Sequence, residues 1–160
     1  MEDDDVAEQV SEFGLRFLRP GWWQFRLDEH EKPPTYVYWD EYTGTLRITV
    51  WREARPGFSA ADFLVGVLDR ERERGHAPEW RLIQGRRFVC WQQDRAETGT
   101  RSHFYITAHE DRIVTCSFAH NLSLLDDELS GLELEGAMED VDRVCWRALP
   151  FPEVRWSTRR

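Results

Sequence analysis

The sequence predicts a single α+β domain built on a curved antiparallel sheet of about six to eight strands, packed with two main helices. Alternating side-chain types over residues 35–51 indicate the antiparallel sheet, because successive side chains of a strand point to opposite faces. Apolar residues at helical spacing over 59–74 and 131–148 indicate the helices. The chain of 160 residues is long enough for one core. We expect the domain to span residues 13–151.

The N-terminal segment differs in composition from the rest of the chain. Residues 1–12 are rich in acids and are predicted to be an acidic leader, with one helical turn over residues 6–10. Phe13, Leu15 and Phe17 then alternate with other residue types, which predicts the first strand.

The hairpin over residues 35–51 is the strongest local signal. Two strands flank a short loop that ends in Gly44. On the second strand, the side chains fall into one aliphatic set and one mixed set, namely Leu46, Ile48 and Val50 against Arg47, Thr49 and Trp51. The pattern leaves open which face is core. If the aliphatic set faces inward, Arg47 and Trp51 are left to meet another helix, a partner or water.

The first helix is predicted over residues 59–74. Ser59 is a suitable N-cap, and Asp62 stands at the third helical position, as in a capping box. One apolar stripe follows, made of Ala60, Phe63, Leu64, Val67 and Leu68. The run Asp69–Arg74 alternates acids and bases, which is typical of a solvated helix end. Gly75 is placed to end the helix.

The remaining segments are predicted to form an antiparallel meander and a second helix. Strand patterns cover residues 80–83, 87–92, 102–108 and 112–118. The helix over 131–148 carries apolar residues on its buried side, namely Leu134, Ala137, Met138, Val141, Val144, Cys145 and Ala148. Residues 152–160 are a C-terminal tail.

The charge balance restricts the classes of partner. The chain has 30 acidic and 21 basic residues, a net charge of −9, which repels nucleic acids and anionic membranes and attracts a basic protein. The acidic N-terminus is not a secretory signal, so we expect a cytoplasmic protein. Lys32 is the one lysine among the bases, a bias that favours a bacterial source.

The sequence predicts no catalytic residue, metal or cofactor. It contains no P-loop, no dinucleotide-binding glycine motif and no nucleophile elbow. His103, His109 and His120 form the most suggestive histidine set for zinc, but surface or hydrogen-bonded histidine is the favoured interpretation. The three cysteines are widely spaced, which is typical of reduced, buried thiols.

Four short strings carry a resemblance to a known family. They are Phe13–Trp22, Gly44–Thr49, Ser59–Phe63 and Leu149–Phe151. Together they resemble the PsbP-like superfamily, which also includes a yeast Ran-binding nuclear import factor, and are most similar to an uncharacterised bacterial branch. The resemblance implies an antiparallel sheet sandwiched by helices and a role in binding or assembly. It carries over no catalytic residues.

We hypothesise a non-enzymatic, protein-binding module, an immunity-type or adaptor protein that masks a basic partner. Acidic surfaces steer a cationic partner, and aromatic side chains then supply affinity. The candidate partner-binding residues are Tyr36, Tyr38, Tyr42, Glu133, Glu135, Glu139, Asp140 and Asp142.

Two other hypotheses stay open. The first is a small-ligand-binding protein or enzyme with a cleft between the sheet and a helix, lined by Trp39, Arg47, Trp91 and His103. The second is a homodimer that uses the aromatic patch of the hairpin for self-association.

Overall fold

A seven-stranded antiparallel sheet dominates the computed structural model of this protein. The structure describes residues 6–10, 16–20, 24–28, 30, 35–40, 42–53, 55–83 and 86–147. Within these ranges the side chains of residues 6–10, 16–20, 25, 83, 86, 140 and 142–147 are not described. The α+β class predicted from the sequence is confirmed, and the seven strands fall within the expected number.

The chain forms nine described strands in two sheets. They are β1 Val6–Val10, β2 Arg16–Pro20, β3 Gln24–Asp28, β4 Thr35–Asp40, β5 Gly44–Arg52, β6 Glu79–Ile83, β7 Arg86–Arg95, β8 Thr100–His109 and β9 Arg112–Asn121. The large sheet has the order β3-β4-β5-β9-β8-β7-β6, and every neighbouring pair is antiparallel. β1 pairs only with β2 among the described strands.

The first strand corrects an expectation about the leader. Residues 6–10, predicted to form a helical turn, are β1, which lies antiparallel to β2 in a register that joins Val6 to Pro20. Strand pairing satisfies the backbone groups of this segment, which composition alone cannot foresee. The predicted tail, residues 152–160, lies outside the described residues.

The helices occupy nearly the positions predicted from the sequence. Helix α1 is Ala60–Glu73, and the Ser59 Oγ accepts a hydrogen bond from the Asp62 N–H at 3.1 Å, as predicted for the N-cap. Helix α2 is Glu128–Arg147, so it begins three residues before the predicted start at 131. The Asp127 carboxylate accepts from the Ser130 N–H at 2.9 Å, which caps the earlier start.

The two helices cover opposite faces of the sheet and create two cores. Helix α2 packs on the first face, where the core consists of Tyr38, Leu46, Ile48, Val50, Phe88, Cys90, Tyr105, Val114, Cys116, Phe118, Leu134, Ala137 and Val141. Helix α1 packs on the second face, where the core consists of Leu64, Val67, Leu68, Val89, Trp91, Ile106 and Ile113. Burial of each large apolar side chain contributes roughly 1.5–3 kcal/mol, so both faces stabilise the sheet.

The two side-chain sets of β5 lie on opposite faces of the large sheet. Leu46, Ile48 and Val50 point into the first core, so Arg47 and Trp51 lie on the second face, the face on which α1 packs. The two described cysteines, Cys90 and Cys116, are buried, as expected.

The alternating charges at the end of α1 are not all solvated. Glu71 is buried, with 1% of its surface exposed. Its carboxylate accepts hydrogen bonds from Arg70 at 3.0 Å, from Arg74 at 3.2 Å and from the His76 Nδ1–H at 2.7 Å. The prediction of a solvated helix end is therefore wrong for Glu71, because His76 folds back over the helix and closes a polar cluster.

Candidate functional site

The outer face of α2 carries an unusual combination of side chains. Leu129 and Leu132 are exposed by 69% and 60%, and Leu125, in the short 3-10 helix Leu122–Asp126, by 50%. With about 3.6 residues per turn, Leu129 and Leu132 lie on one stripe of α2, opposite the buried Leu134. We call Leu125, Leu129 and Leu132 the leucine stripe.

Carboxylates flank the leucine stripe on both sides. Glu135 and Glu139 lie along one flank and Glu133 along the other, and all three are exposed, as the partner-surface hypothesis requires. Gly136 continues the stripe by one turn, and nothing described lies within 4 Å of the position that a Cβ there would occupy. A partner can therefore approach the helix backbone closely at this point. Asp140 and Asp142 lie in α2, but their side chains are outside the described ones.

The leucine stripe does not follow from the predicted helix over 131–148, because Leu125 and Leu129 precede that helix and Leu132 is not among its predicted buried residues. The signal is present in the sequence, since Leu129 and Leu132 are three residues apart and out of phase with Leu134, Ala137 and Val141. Such contiguous exposed apolar residues rimmed by polar ones mark interaction surfaces.

The aromatic residues of the hairpin do not form one exposed patch. Tyr38 is fully buried, at 0% exposure, so its prediction as a partner contact is wrong. Tyr36 is partly buried against the first core. Tyr42, at 72% exposure, lies in the β4–β5 turn, and Trp51 lies near the other end of β5. At about 3.3 Å per residue along a strand, these two exposed rings are too far apart to act together.

The residues predicted to line a cleft divide between the two faces of the sheet. Arg47 lines a groove of about 380 Å³ on the second face, next to α1. Trp91 lies on that same face, buried under α1, and stacks on Phe104 of the groove wall with 4.9 Å between ring centroids. Trp39 lies on the same face as Arg47, because it pairs with Thr45, two residues before Arg47 on β5. His103 pairs with Phe118 of the first core and lies on the opposite face, so its inclusion in one cleft with Arg47 is wrong.

His103 instead forms a partly buried pair with the buried His120 on the neighbouring strand. The two Nε2 atoms are 3.0 Å apart, and the His120 Nδ1 is 3.0 Å from the Asn121 carbonyl oxygen. A carbonyl only accepts, so His120 donates from Nδ1, and the two Nε2 atoms share one proton in the bond between the rings. Burial, followed by the charges of His120 and Arg101, lowers the pKa of His103 to about 4. His103 is therefore uncharged at neutral pH.

The histidine set does not form a metal centre in the described part of the chain. His109 lies at the opposite end of β8, beside the β8–β9 turn, far from the His103–His120 pair. No group of three or more His, Cys, Asp or Glu side chains among the described residues is placed to hold a metal ion. No described helix is long and apolar enough to cross a membrane.

Two solved structures have folds similar to this chain. The crystal structure of a protein from Bacteroides thetaiotaomicron aligns with a TM-score of 0.56 and 15% identity over 73% of this chain. This chain spans 42% of that longer protein, which is less than half its length. The solution structure of cyanobacterial PsbP from Synechocystis aligns with a TM-score of 0.55 and 14% identity, and the alignment covers 89% of this chain and 91% of that one. No known protein-family profile and no curated protein matches the sequence.

These similarities define the class of the protein by its architecture. It is an α+β protein with an open antiparallel sheet and one helix on each face. More particularly, it has a PsbP-like fold. At such low identity the similarity establishes the fold alone, and function has to be argued from the surface of this chain.

Proposed function

We propose that this protein is a non-enzymatic, protein-binding module and that the outer face of α2 binds a basic partner. The observation that supports this proposal most directly is the leucine stripe with exposed carboxylates on both flanks. Three exposed leucines within eight residues of chain are unfavourable in water unless another surface covers them.

Charge complementarity identifies the chemistry of the occupant. The flanking Glu133, Glu135 and Glu139 belong to a chain with a net charge of −9, so they attract lysine- and arginine-rich segments and accelerate their association. Leu129 and Leu132 then provide an apolar anchor. The partner segment is therefore an amphipathic one, with apolar residues in its centre and basic residues at its rim.

A second copy of this chain is a poor occupant for the same face. Two α2 helices docked across their leucine stripes would bring the flanking carboxylates of both copies together. Like charges in such an interface oppose association.

We include Tyr42 in the proposed surface. Tyr42 lies in the turn before Gly44, and Gly44 pairs with His120 at the end of β9, just before the 3-10 helix. Tyr42 is therefore exposed at the same end of the sheet as the 3-10 helix.

The biological setting belongs to the same proposal. We place the protein in the bacterial cytoplasm, as an immunity-type or adaptor protein that masks a basic partner such as a nuclease toxin. We also propose that the chain is a divergent member of the PsbP-like superfamily, related to its uncharacterised bacterial branch. The four sequence strings and the fold similarity support this assignment.

Affinity capture from the native host tests the proposal when wild type is compared with designed variants. We expect wild type to retain one stoichiometric basic protein and the variants L129S/L132S and E133Q/E135Q/E139Q to lose it. The control E73Q changes an exposed acid at the end of α1 and should retain it. Binding of the purified partner should weaken as salt is raised, because its rim contacts are ionic.

Two results would contradict the proposal. One is the absence of any stoichiometric basic partner, and the other is a partner that both α2 variants retain as well as wild type does. Light scattering on the purified protein tests the alternative that a second copy of this chain occupies the face. A homodimer through the leucine stripe would form without any other protein and would dissociate in L129S/L132S.

A further inference from the structure

The groove on the second face of the sheet is a separate feature that the proposed function does not use. Its floor is formed by the strands β5 and β9, where Thr49 pairs with Thr115 and Arg47 pairs with Ser117. Its wall is Phe104 and Ile106 of β8, the strand that α1 covers. The volume of about 380 Å³ lies within the range of ligand pockets, about 300 to 1,000 Å³.

The pairing between strands arranges the side chains of the groove in two rows across β5, β9 and β8. One row runs from Arg47 through Ser117 to Phe104, and the next runs from Thr49 through Thr115 to Ile106. In each row the side chain on β5 is cationic or polar, the side chain on β9 carries a hydroxyl group, and the side chain on β8 is apolar. Adjacent strands are about 4.8 Å apart, so the guanidinium side and the apolar wall are separated by about the length of a small aromatic molecule.

The apolar wall is held rigidly. Phe104 stacks on Trp91 at an interplanar angle of 19°, and Trp91 is itself buried in the second core under α1. Ile106 belongs to the same core. A flat ligand would therefore meet a preformed surface, and little side-chain ordering would oppose its binding.

We infer that this groove binds a small monocarboxylate with a flat apolar body. The carboxylate would accept hydrogen bonds from Arg47, whose guanidinium matches it in geometry, and from the hydroxyls of Ser117 and Thr115. The ring would lie against Phe104 and Ile106. Arg47 is the one charged side chain among the described residues that line the groove, and the planar guanidinium matches a planar carboxylate better than a tetrahedral phosphate.

Amide chemical-shift mapping with a matched pair of probes tests this inference. The probes are 1-naphthylacetate and the uncharged 1-naphthylacetamide, which differ in charge and hardly in shape. We expect 1-naphthylacetate to bind with about millimolar affinity and to shift the amides of Thr49, Thr115 and Ser117. The acetamide should bind about ten-fold more weakly, because it lacks the charge-assisted hydrogen bonds.

The variant R47Q should bind both probes equally weakly, whereas the control R72Q, at an exposed arginine of α1, should behave like wild type. Because Arg47 is exposed, R47Q should fold, and its unperturbed spectrum away from β5 would show that it does. The inference is overturned if wild type binds neither probe at millimolar concentration, if it does not distinguish them, or if the shifts map to the leucine stripe. The last outcome would leave the proposal for α2 intact.

Discussion

The buried carboxylate of Glu71 provides the sharpest stability prediction, tested by the variant E71Q. The substitution keeps the size and shape of the side chain but removes its charge. In wild type, Arg70, Arg74 and His76 all donate to this carboxylate, over distances of 2.7 to 3.2 Å. In E71Q, the amide oxygen can still accept on one side, either from His76 or from the two arginines, but the NH₂ group faces the remaining donors and cannot accept from them.

The size of the expected loss in the free energy of unfolding depends on how exposed the side chains of Arg70, Arg74 and His76 are. The side chains of Arg70 and Arg74 are 48% and 61% exposed, so water competes for them and each contributes at most about 1 kcal/mol. The side chain of His76 is 23% exposed, and its short bond to a buried charge is worth about 1.5–3 kcal/mol. Because Gln still accepts one hydrogen bond, we expect E71Q to lower the free energy of unfolding by about 2–3 kcal/mol.

The effect should depend on pH in a defined direction. Burial by itself raises the pKa of Glu71, but the hydrogen bonds from His76 and Arg70 and the charges of Arg70 and Arg74 outweigh it, so the pKa lies below its ordinary value of 4.5. A lowered pKa stabilises the fold above pH 4.5, and this contribution is lost as the pH falls through the folded-state pKa. The difference between wild type and E71Q should therefore be full at neutral pH and shrink below pH 4.5.

Urea denaturation and thermal melting at several pH values measure this difference. At neutral pH, E71Q should melt about 4–12 °C below wild type, from about 2–4 °C per kcal/mol for a domain of this size. The control E73Q, at an exposed acid two residues along the same helix, should change stability by about 0.5 kcal/mol or less. If E71Q and E73Q were equally stable at neutral pH, the argument from burial and hydrogen bonding would be refuted.

Four further predictions concern other parts of the fold. The imidazole of His103 should titrate near pH 4 by NMR. Because this pKa is below the ordinary value of 6.5, the fold should lose stability as the pH falls from about 6.5 towards 4. A His103 titration near pH 6.5 would contradict the burial of this imidazole against His120. Gly44→Ala should destabilise the protein by about 1–3 kcal/mol in urea melts, because the new Cβ would overlap the Ala119 carbonyl oxygen and lie 2.8 Å from the Phe118 ring. Gly66→Ala, in open space on α1, should instead stabilise it by about 0.5–1 kcal/mol. L129S/L132S should leave the melting temperature near that of wild type, since both leucines are exposed, and a large drop would mean that they pack inside the fold.

Local patterns determined much of this fold in advance. The alternation on β5 established a strand with Leu46, Ile48 and Val50 on one face, and the periodicity after Ser59 established α1 with its cap. These signals are short-range, because side-chain direction in a strand or helix depends only on sequence spacing. The α+β class follows from them, and the structure agrees.

Surface and site were only partly visible in the sequence. Glu133, Glu135 and Glu139 lie on the outer side of α2, as predicted, but the leucine stripe between them does not follow from the predicted pattern. His103 and Arg47 both have site-like chemistry, yet they lie on opposite faces of the sheet. Which face a residue occupies depends on the register between strands that are distant in the chain, and no local spacing encodes it.

The sequence by itself determined the elements of this protein: two helices, alternating antiparallel strands and a strongly acidic balance of charge. Only the tertiary structure decided which surfaces those elements leave to other molecules. The placement of α1 and α2 on opposite faces buries Tyr38 and Glu71, exposes Leu129 and leaves Arg47 in the lining of a groove. Burial is a property of what packs against a residue, and the packing partners here come from strands and helices far apart in the chain.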